Sequence, residues 1–149
     1  MMQRLLIAAA VSVLPLWAYA ARQDIKLEHI WARAAGPGQN SALYMTVTVT
    51  GSPDYLTGVS TPVAQSAELH QSSHEQGVMQ MRPVGRLPVG PDAPLRLEPG
   101  GYHVMLVGLK QALKPGDSMP VTVTFEKGGP VEATAKIAPA GATKPPPGV

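Results

Sequence analysis

Histidine and methionine side chains at regular spacing are the residues of this chain best suited to chemistry. His70 closes a predicted strand, Met81 lies on the next strand, and His103 and Met105 lie two residues apart on a later one. Because side chains alternate across a β-strand, His103 and Met105 project from the same face. One short strand therefore presents two soft donors on the same side. Met81 and His70 complete a set of four if the fold brings these strands side by side.

The chemistry of this donor set favours one metal ion. Imidazole nitrogens and thioether sulfurs, without thiolate or carboxylate, select an ion by softness and favour copper(I). Zinc is expected to recruit thiolate, carboxylate or further imidazole. Thioethers cannot form disulfides, so such a site suits an oxidising compartment. The residues therefore predict a copper(I) site at His103 and Met105, which His70 and Met81 complete if the fold brings them together.

Short apolar and β-branched runs, separated by Gly, Pro, Asp and Asn, supply the elements that must position these donors. In residues 45–50 and 121–126, Val and Phe alternate with Thr and Glu, which is typical of a strand with one face on a core. We predict a single-domain, all-β Greek-key sandwich. The predicted strands are residues 27–33, 42–50, 55–60, 66–71, 78–82, 95–97, 103–109, 119–126 and 131–137. The predicted turns are residues 36–38, 51–54, 90–92, 99–101, 115–117 and 128–130.

The first twenty residues have the order of an export signal. Arg4 precedes an apolar run over residues 5–17 and the small-residue site Ala18-Tyr19-Ala20. We predict that residues 1–20 are a signal peptide cleaved after Ala20, which leaves a monomeric periplasmic protein. The alternative is an uncleaved anchor. Stable membrane insertion is not expected, because the run is shorter than the roughly 20 residues that span a bilayer.

Composition excludes several classes of protein. The chain has no cysteine, which rules out disulfides, thiolate metal sites and blue copper centres. Its 12 Lys and Arg face 10 Asp and Glu without basic clusters, so nucleic acid is not an expected partner. No nucleophile elbow, phosphate loop or HExxH pattern occurs, so we do not expect an enzyme. The Pro-rich residues 138–149 are predicted to form a flexible tail.

Three segments, residues 67–70, 77–84 and 99–106, resemble the periplasmic copper chaperone family called PCuAC. In that family a His, ten residues, a Met, twenty-one residues and a His-x-Met supply the copper(I) ligands. The gaps from His70 to Met81 and from Met81 to His103 match this pattern. The resemblance continues through residues 109–117 and 121–126. It implies a cupredoxin-like fold and one copper(I) ion per chain, held by His70, Met81, His103 and Met105. The predicted cleavage site and tail set the domain limits at 21–137.

The resemblance also implies a biological role. Members of the family are implicated in carrying copper to the dinuclear copper centre of cytochrome c oxidase. The expected partner is therefore a copper-accepting protein, either an oxidase copper subunit or a dithiol assembly protein. Two departures matter. Gln71 stands where some members place an additional Met, and the tail lacks the His and Met residues of some relatives.

The remaining His and Met residues have competing interpretations. Met79 shares the strand face of Met81, so it either packs or serves as an alternate ligand. His74 lies in a predicted polar loop over residues 72–76, where it is either solvated or a transient ligand. We predict that His29, Met45 and Met119 are structural.

Two acidic residues and one further function also have to be considered. Glu68 and Glu75 are single acids at a β edge, where solvated side chains are usual. The competing function is an extracytoplasmic interaction or adhesion module whose His and Met residues only pack.

Overall fold

The computed structural model describes residues 24–149, so the predicted signal peptide at residues 1–20 lies outside the described residues. This part of the chain forms ten strands and contains no helix that could span a membrane. The strands are β1 (Asp24–Arg33), β2 (Ser41–Thr50), β3 (Asp54–Ser60), β4 (Ala64–Glu75), β5 (Val78–Pro83), β6 (Leu87–Val89), β7 (Leu95–Leu97), β8 (Tyr102–Leu109), β9 (Ser118–Phe125) and β10 (Gly129–Ala138).

One continuous path of hydrogen bonds joins nine strands in the order β5-β4-β8-β2-β1-β10-β9-β3-β6, and β7 pairs with β2 beside this path. The β1–β10 pair is parallel, and the other strand pairs are antiparallel. Buried side chains from every strand except β5 share one core, whereas β5 is exposed along its whole length. The predicted all-β sandwich is confirmed.

Alternation along the strands explains where the core lies. In β9, Met119, Val121, Val123 and Phe125 are buried and the intervening residues are not. In β2, Met45 enters the same core. The prediction that Met45 and Met119 are structural is confirmed, because their side chains are almost fully buried among apolar neighbours.

A β-bulge in β1 buries both faces of this strand. The β1–β2 register shifts between Glu28 and Trp31, and His29 adopts a φ of 50° at this point. Such a bulge bends the strand and increases its twist. Trp31 then packs with Tyr44 and Ala138 in a second, smaller cluster, apart from the main core.

The segment that follows β10 contacts this second cluster through Ala142. Ala138 itself ends β10 and is fully buried, although we had placed it in the tail. Ala142 packs on the cluster, and the Arg33 Nε–H donates to its carbonyl oxygen at 3.0 Å. The carbonyl oxygen of Val149 lies 2.9 Å from His29 Nδ1. The flexibility of residues 139–149 stays a prediction.

One loop prediction was wrong and one strand was not predicted. Residues 72–75 of the predicted loop instead extend β4, where Ser72 pairs with Met81 and His74 with Met79. Gln76 and Gly77 close this hairpin with φ values of 52° and 76°, and positive φ at both residues is typical of a two-residue type I′ turn. The short strand β6 was not predicted, because Pro88 lies at its centre.

Candidate functional site

The strand register brings the four predicted ligands to one face of the sheet. In the β4–β8 ladder, His70 lies opposite His103. Met105 follows His103 by two residues and therefore shares its face. Ser72 follows His70 by two residues and lies opposite Met81 in the β4–β5 ladder, which adds Met81 to the same face. Three neighbouring strands thus carry all four side chains.

The two histidines are buried and close together. His70 is 8% exposed and His103 is 4% exposed, and their ring centroids are 5.8 Å apart. Two imidazoles on one tetrahedral ion, with metal–nitrogen bonds of about 2 Å, place their ring centroids roughly 5 Å apart. The observed separation is therefore close to that of two rings that bind one ion.

Hydrogen bonding leaves one ring nitrogen of His103 available. Its Nδ1 lies 3.3 Å from the carbonyl oxygen of Gly101, which can only accept, so Nδ1–H donates. Its Nε2 is buried and has no hydrogen-bond partner among residues 24–149. Burial lowers the pKa of His103 more than the Gly101 hydrogen bond raises it, and the nearby Arg33 lowers it further. The neutral ring can therefore offer a lone pair.

His70 offers its other ring nitrogen. Its Nε2 lies 2.8 Å from Oε2 of Glu68, and its buried Nδ1 has no hydrogen-bond partner within the described part of the chain. A single acid at a β edge is usually solvated, so the sequence does not predict this contact of Glu68. The signal was available in the spacing, because residues two apart on a strand share a face.

The sulfur donors line a cavity beside His103. A cavity of about 260 Å³ is bounded by Met81, Met105 and His103, together with Arg33 and the tail residue Ala140 among others. Met81 is 49% exposed, whereas Met105 is partly buried. The nitrogen donors thus lie deep and Met81 lies at the surface.

Met79 and His74 lie at the margin of this arrangement. Met79 is 51% exposed and lines a second cavity of about 220 Å³ with Met81 and His103. This location is compatible with both interpretations of Met79, packing at the rim of the site and service as an alternate ligand. His74 lies opposite Met79 near the hairpin turn and is exposed.

The donor types restrict what this site can hold. In residues 24–149, no group of three or more His, Cys, Asp or Glu side chains could hold a metal ion. A metal site at this face therefore requires the thioethers. Two neutral nitrogens and two neutral sulfurs suit a soft, monovalent ion better than a hard or divalent one.

Comparison with known proteins finds similarity to a family and a relative that are both described as lipoproteins. Residues 25–137 match the model of a family described as "Putative lipoprotein LpqE-like". A curated relative, "Putative lipoprotein Lxx21020" of Leifsonia xyli subsp. xyli, is 34% identical over 108 residues. The match covers 70% of this chain and 63% of that relative, so the chain spans less than two thirds of the relative's length.

Solved structures give the same fold. The copper-bound PCuAC domain from PmoF2 is 30% identical, with a TM-score of 0.64, over 77% of this chain and 92% of that domain. The CuI-DR1885 solution structure from Deinococcus radiodurans is 30% identical, with a TM-score of 0.55, over 75% of this chain and 78% of that one. The predicted cupredoxin-like fold class is confirmed.

Proposed function

Since the chain belongs to the LpqE-like lipoprotein family and shares the fold of PCuAC domains, we propose that it is an exported copper(I) carrier. One observation supports this most directly. His70 Nδ1 and His103 Nε2 are buried without partners in the described residues, on a sheet face that also carries Met81 and Met105. Buried polar atoms are normally hydrogen-bonded, so two open lone pairs indicate a ligand.

The charge of the site supports copper(I) as the cargo. The four donors are neutral, so they do not compensate the charge of the ion. An uncompensated divalent ion is more costly to desolvate than a monovalent one. Arg33 adds a positive charge to the wall of the same cavity. We infer that copper(I) binds in preference to copper(II) and zinc, with one ion per chain.

The donor set also supports release. Thioethers bind copper(I) less strongly than anionic thiolates, so an acceptor with two cysteine thiolates withdraws the ion without an energy source. We propose a copper-accepting protein of this kind as the partner. The copper subunit of cytochrome c oxidase and a dithiol assembly protein both fit. The location proposed is the periplasm, after cleavage at Ala20, and catalysis is not part of this role.

An anaerobic copper(I) titration of residues 21–149 tests the proposal. With a chromophoric copper(I) chelator as competitor, we expect one equivalent to bind. The variant that combines His70→Ala, Met81→Ala, His103→Ala and Met105→Ala should lose this binding. The matched control replaces residues of the same types elsewhere, His29→Asn and Met45→Leu, and should keep it. Asn is chosen because it tolerates the positive φ of His29.

Transfer and selectivity are tested with the loaded protein. Mixed anaerobically with a dithiol acceptor domain and followed by NMR, the copper should move to the acceptor. Copper that remains at equilibrium, or that zinc displaces at comparable concentration, would contradict the carrier role. No binding beyond that of the quadruple variant would favour the interaction module instead.

A further inference from the structure

We propose that Glu68 is a positioning residue for His70, holding its ring in the tautomer that presents Nδ1 to the metal. His103, in contrast, presents Nε2. The two imidazoles would then bind one ion through different nitrogens. This inference rests on the proposed function, because it concerns the same site.

The contact between Glu68 and His70 carries the first step. Oε2 of Glu68 lies 2.8 Å from His70 Nε2, and the histidine side chain is 11% exposed whereas that of Glu68 is 51% exposed. An ionised carboxylate can only accept a hydrogen bond, so Nε2 must carry the proton. In the neutral ring Nδ1 is then unprotonated, and it is the ring nitrogen that is buried without a partner in residues 24–149.

The second step is that the carboxylate lies on the sheet face that carries the four proposed ligands. Glu68 precedes His70 by two residues on β4 and lies opposite Met105 in the β4–β8 ladder. The hydrogen bond therefore runs along the strand, beside the metal donors rather than through the core behind them. Leu69 projects from the opposite face of β4 and is buried in the core.

The two histidines are fixed by different kinds of acceptor. The Gly101 carbonyl that orients His103 also accepts the backbone N–H of Ser72 at 3.0 Å, so it is part of the backbone structure. The acceptor for His70 is a side chain. Such carboxylate–histidine–metal arrangements orient the ring and raise the basicity of the ligand nitrogen. Ser72 Oγ also lies 3.5 Å from His103 Nδ1, but the Gly101 carbonyl cannot be removed by a side-chain substitution, whereas the carboxylate that orients His70 can be.

Three substitutions separate orientation from charge. Glu68→Gln keeps an acceptor oxygen for the Nε2–H but removes the charge, whereas Glu68→Ala removes both. Glu75→Gln is the matched control, because Glu75 is an exposed acid on the same strand. Its carboxylate pairs with Arg82 rather than with a histidine. The variants are made in residues 21–149, and the metal is copper(I) itself, which is diamagnetic.

Ring nitrogen NMR on ¹⁵N-labelled protein gives a readout that does not depend on metal binding. In the metal-free wild type, the neutral His70 ring should show a protonated Nε2 and an unprotonated Nδ1. Glu68→Ala should convert this ring to a mixture of tautomers, and Glu68→Gln should largely preserve it. Copper(I) should shift Nδ1 of His70 and Nε2 of His103.

Affinity completes the test. Glu68→Ala should weaken copper(I) binding about 10- to 100-fold, as removal of outer-shell partners typically does. Glu75→Gln should leave it unchanged. An unchanged His70 tautomer in Glu68→Ala overturns the inference, even if affinity falls. If the wild type binds no copper(I), the proposed function and this metal role fail together. If the wild type binds and only the Glu68 effects are missing, the carrier role stands without this inference.

Discussion

Glu68 and Met105 lie directly opposite each other in the β4–β8 ladder, two residues along each strand from the His70–His103 pair. All four side chains therefore lie on the same face of the sheet. Behind them, Val104 is fully buried in the core. Met105 and Val104 therefore lie on opposite faces of β8. Substitution of Met105 should affect mainly copper(I) binding, and substitution of Val104 mainly stability.

The first prediction compares Met105→Ala with Val104→Ala. Met105→Ala should weaken copper(I) binding roughly tenfold or more, because loss of a ligand should cost at least as much as loss of an outer-shell partner. Its effect on the free energy of unfolding should be the smaller one. Val104→Ala should cost about 1–3 kcal/mol of stability, because it leaves a cavity in the core. Urea unfolding and copper(I) competition measure the two effects. Unaltered copper binding in Met105→Ala would return Met105 to a packing role.

The second prediction concerns acid stability. Asp54 is buried, and its carboxylate accepts the backbone N–H groups of Tyr55, Lys127 and Gly128 at 2.7–2.9 Å. Burial raises its pKa, but these hydrogen bonds together lower it more, and the net shift is downward. A lowered folded pKa means that the stabilisation is fully present above the unfolded value of about 3.9 and is lost as the pH falls through the folded value.

Asp54→Asn should therefore cost about 1–3 kcal/mol near neutral pH, because an amide cannot accept all three hydrogen bonds. Its stability should also depend less on pH below about 4 than that of the wild type. Urea unfolding from pH 7 down to acid measures both effects. Asp92→Asn is the control, since Asp92 is exposed. Parallel stability curves for the wild type and Asp54→Asn would contradict the role of this carboxylate.

The third prediction assigns metal selectivity in part to Arg33. Its guanidinium lies over the ring of Tyr44, 5.4 Å from the centroid, in the wall of the cavity that Met81, Met105 and His103 line. Removing a positive charge should help a divalent ion more than a monovalent one. Arg33→Gln should therefore narrow the preference for copper(I) over zinc by a few-fold to about tenfold, with the effect smaller at high salt.

Arg86→Gln provides the matched control for this experiment. Arg86 also lies over a tyrosine, 4.0 Å from the Tyr55 ring centroid, and it lines neither of the two cavities beside His103. Competition titrations with zinc measure the preference in each variant. Equal preferences in Arg33→Gln and Arg86→Gln would show that the charge of Arg33 does not select the ion.

The fourth prediction concerns the tail. Ala142 covers the cluster of Trp31, Tyr44 and Ala138. In residues 21–149, Trp31 is the only tryptophan, so its fluorescence reports this contact. Deletion of residues 140–149 should shift the emission to longer wavelength and cost roughly 1 kcal/mol, because apolar surface returns to water. Deletion of residues 146–149 alone, which leaves Ala142 in place, should not shift the emission. Identical spectra for both deletions would mean that the tail does not cover Trp31 in solution.

Local patterns in the sequence were enough to predict much of this fold. Alternation identified β2 and β9, and Gly- and Pro-rich segments identified the turns. The shared face of His103 and Met105 follows from the same period of two. β6 escaped because a central Pro is unusual in a strand. The outer part of β4 was not predicted as a strand because residues 72–75 are polar on both faces. This composition is explained by a hairpin that extends beyond the core.

The pairing of β4 with β8 could not be predicted from local pattern. These strands are separated in sequence by β5, β6 and β7, and their register depends on the whole topology. The resemblance to a known family suggested that His70 joins His103, but the residues alone did not. The contact between Glu68 and His70 was not predicted, because a single exposed acid is usually solvated. Their spacing of two places both side chains on one face, and the structure adds that the carboxylate reaches the ring.

At the proposed copper(I) site, the position of β5 would set the order in which ligands exchange. This strand ends the hydrogen-bonded path and adds nothing to the core, yet it supplies Met81. For copper(I) held by all four donors, Met81 is the ligand that an incoming thiolate reaches first, and its withdrawal disturbs no buried packing. The imidazoles, buried at the inner side, separate last. The ion would therefore pass between proteins by stepwise replacement of ligands, without a stage at which it is free in water.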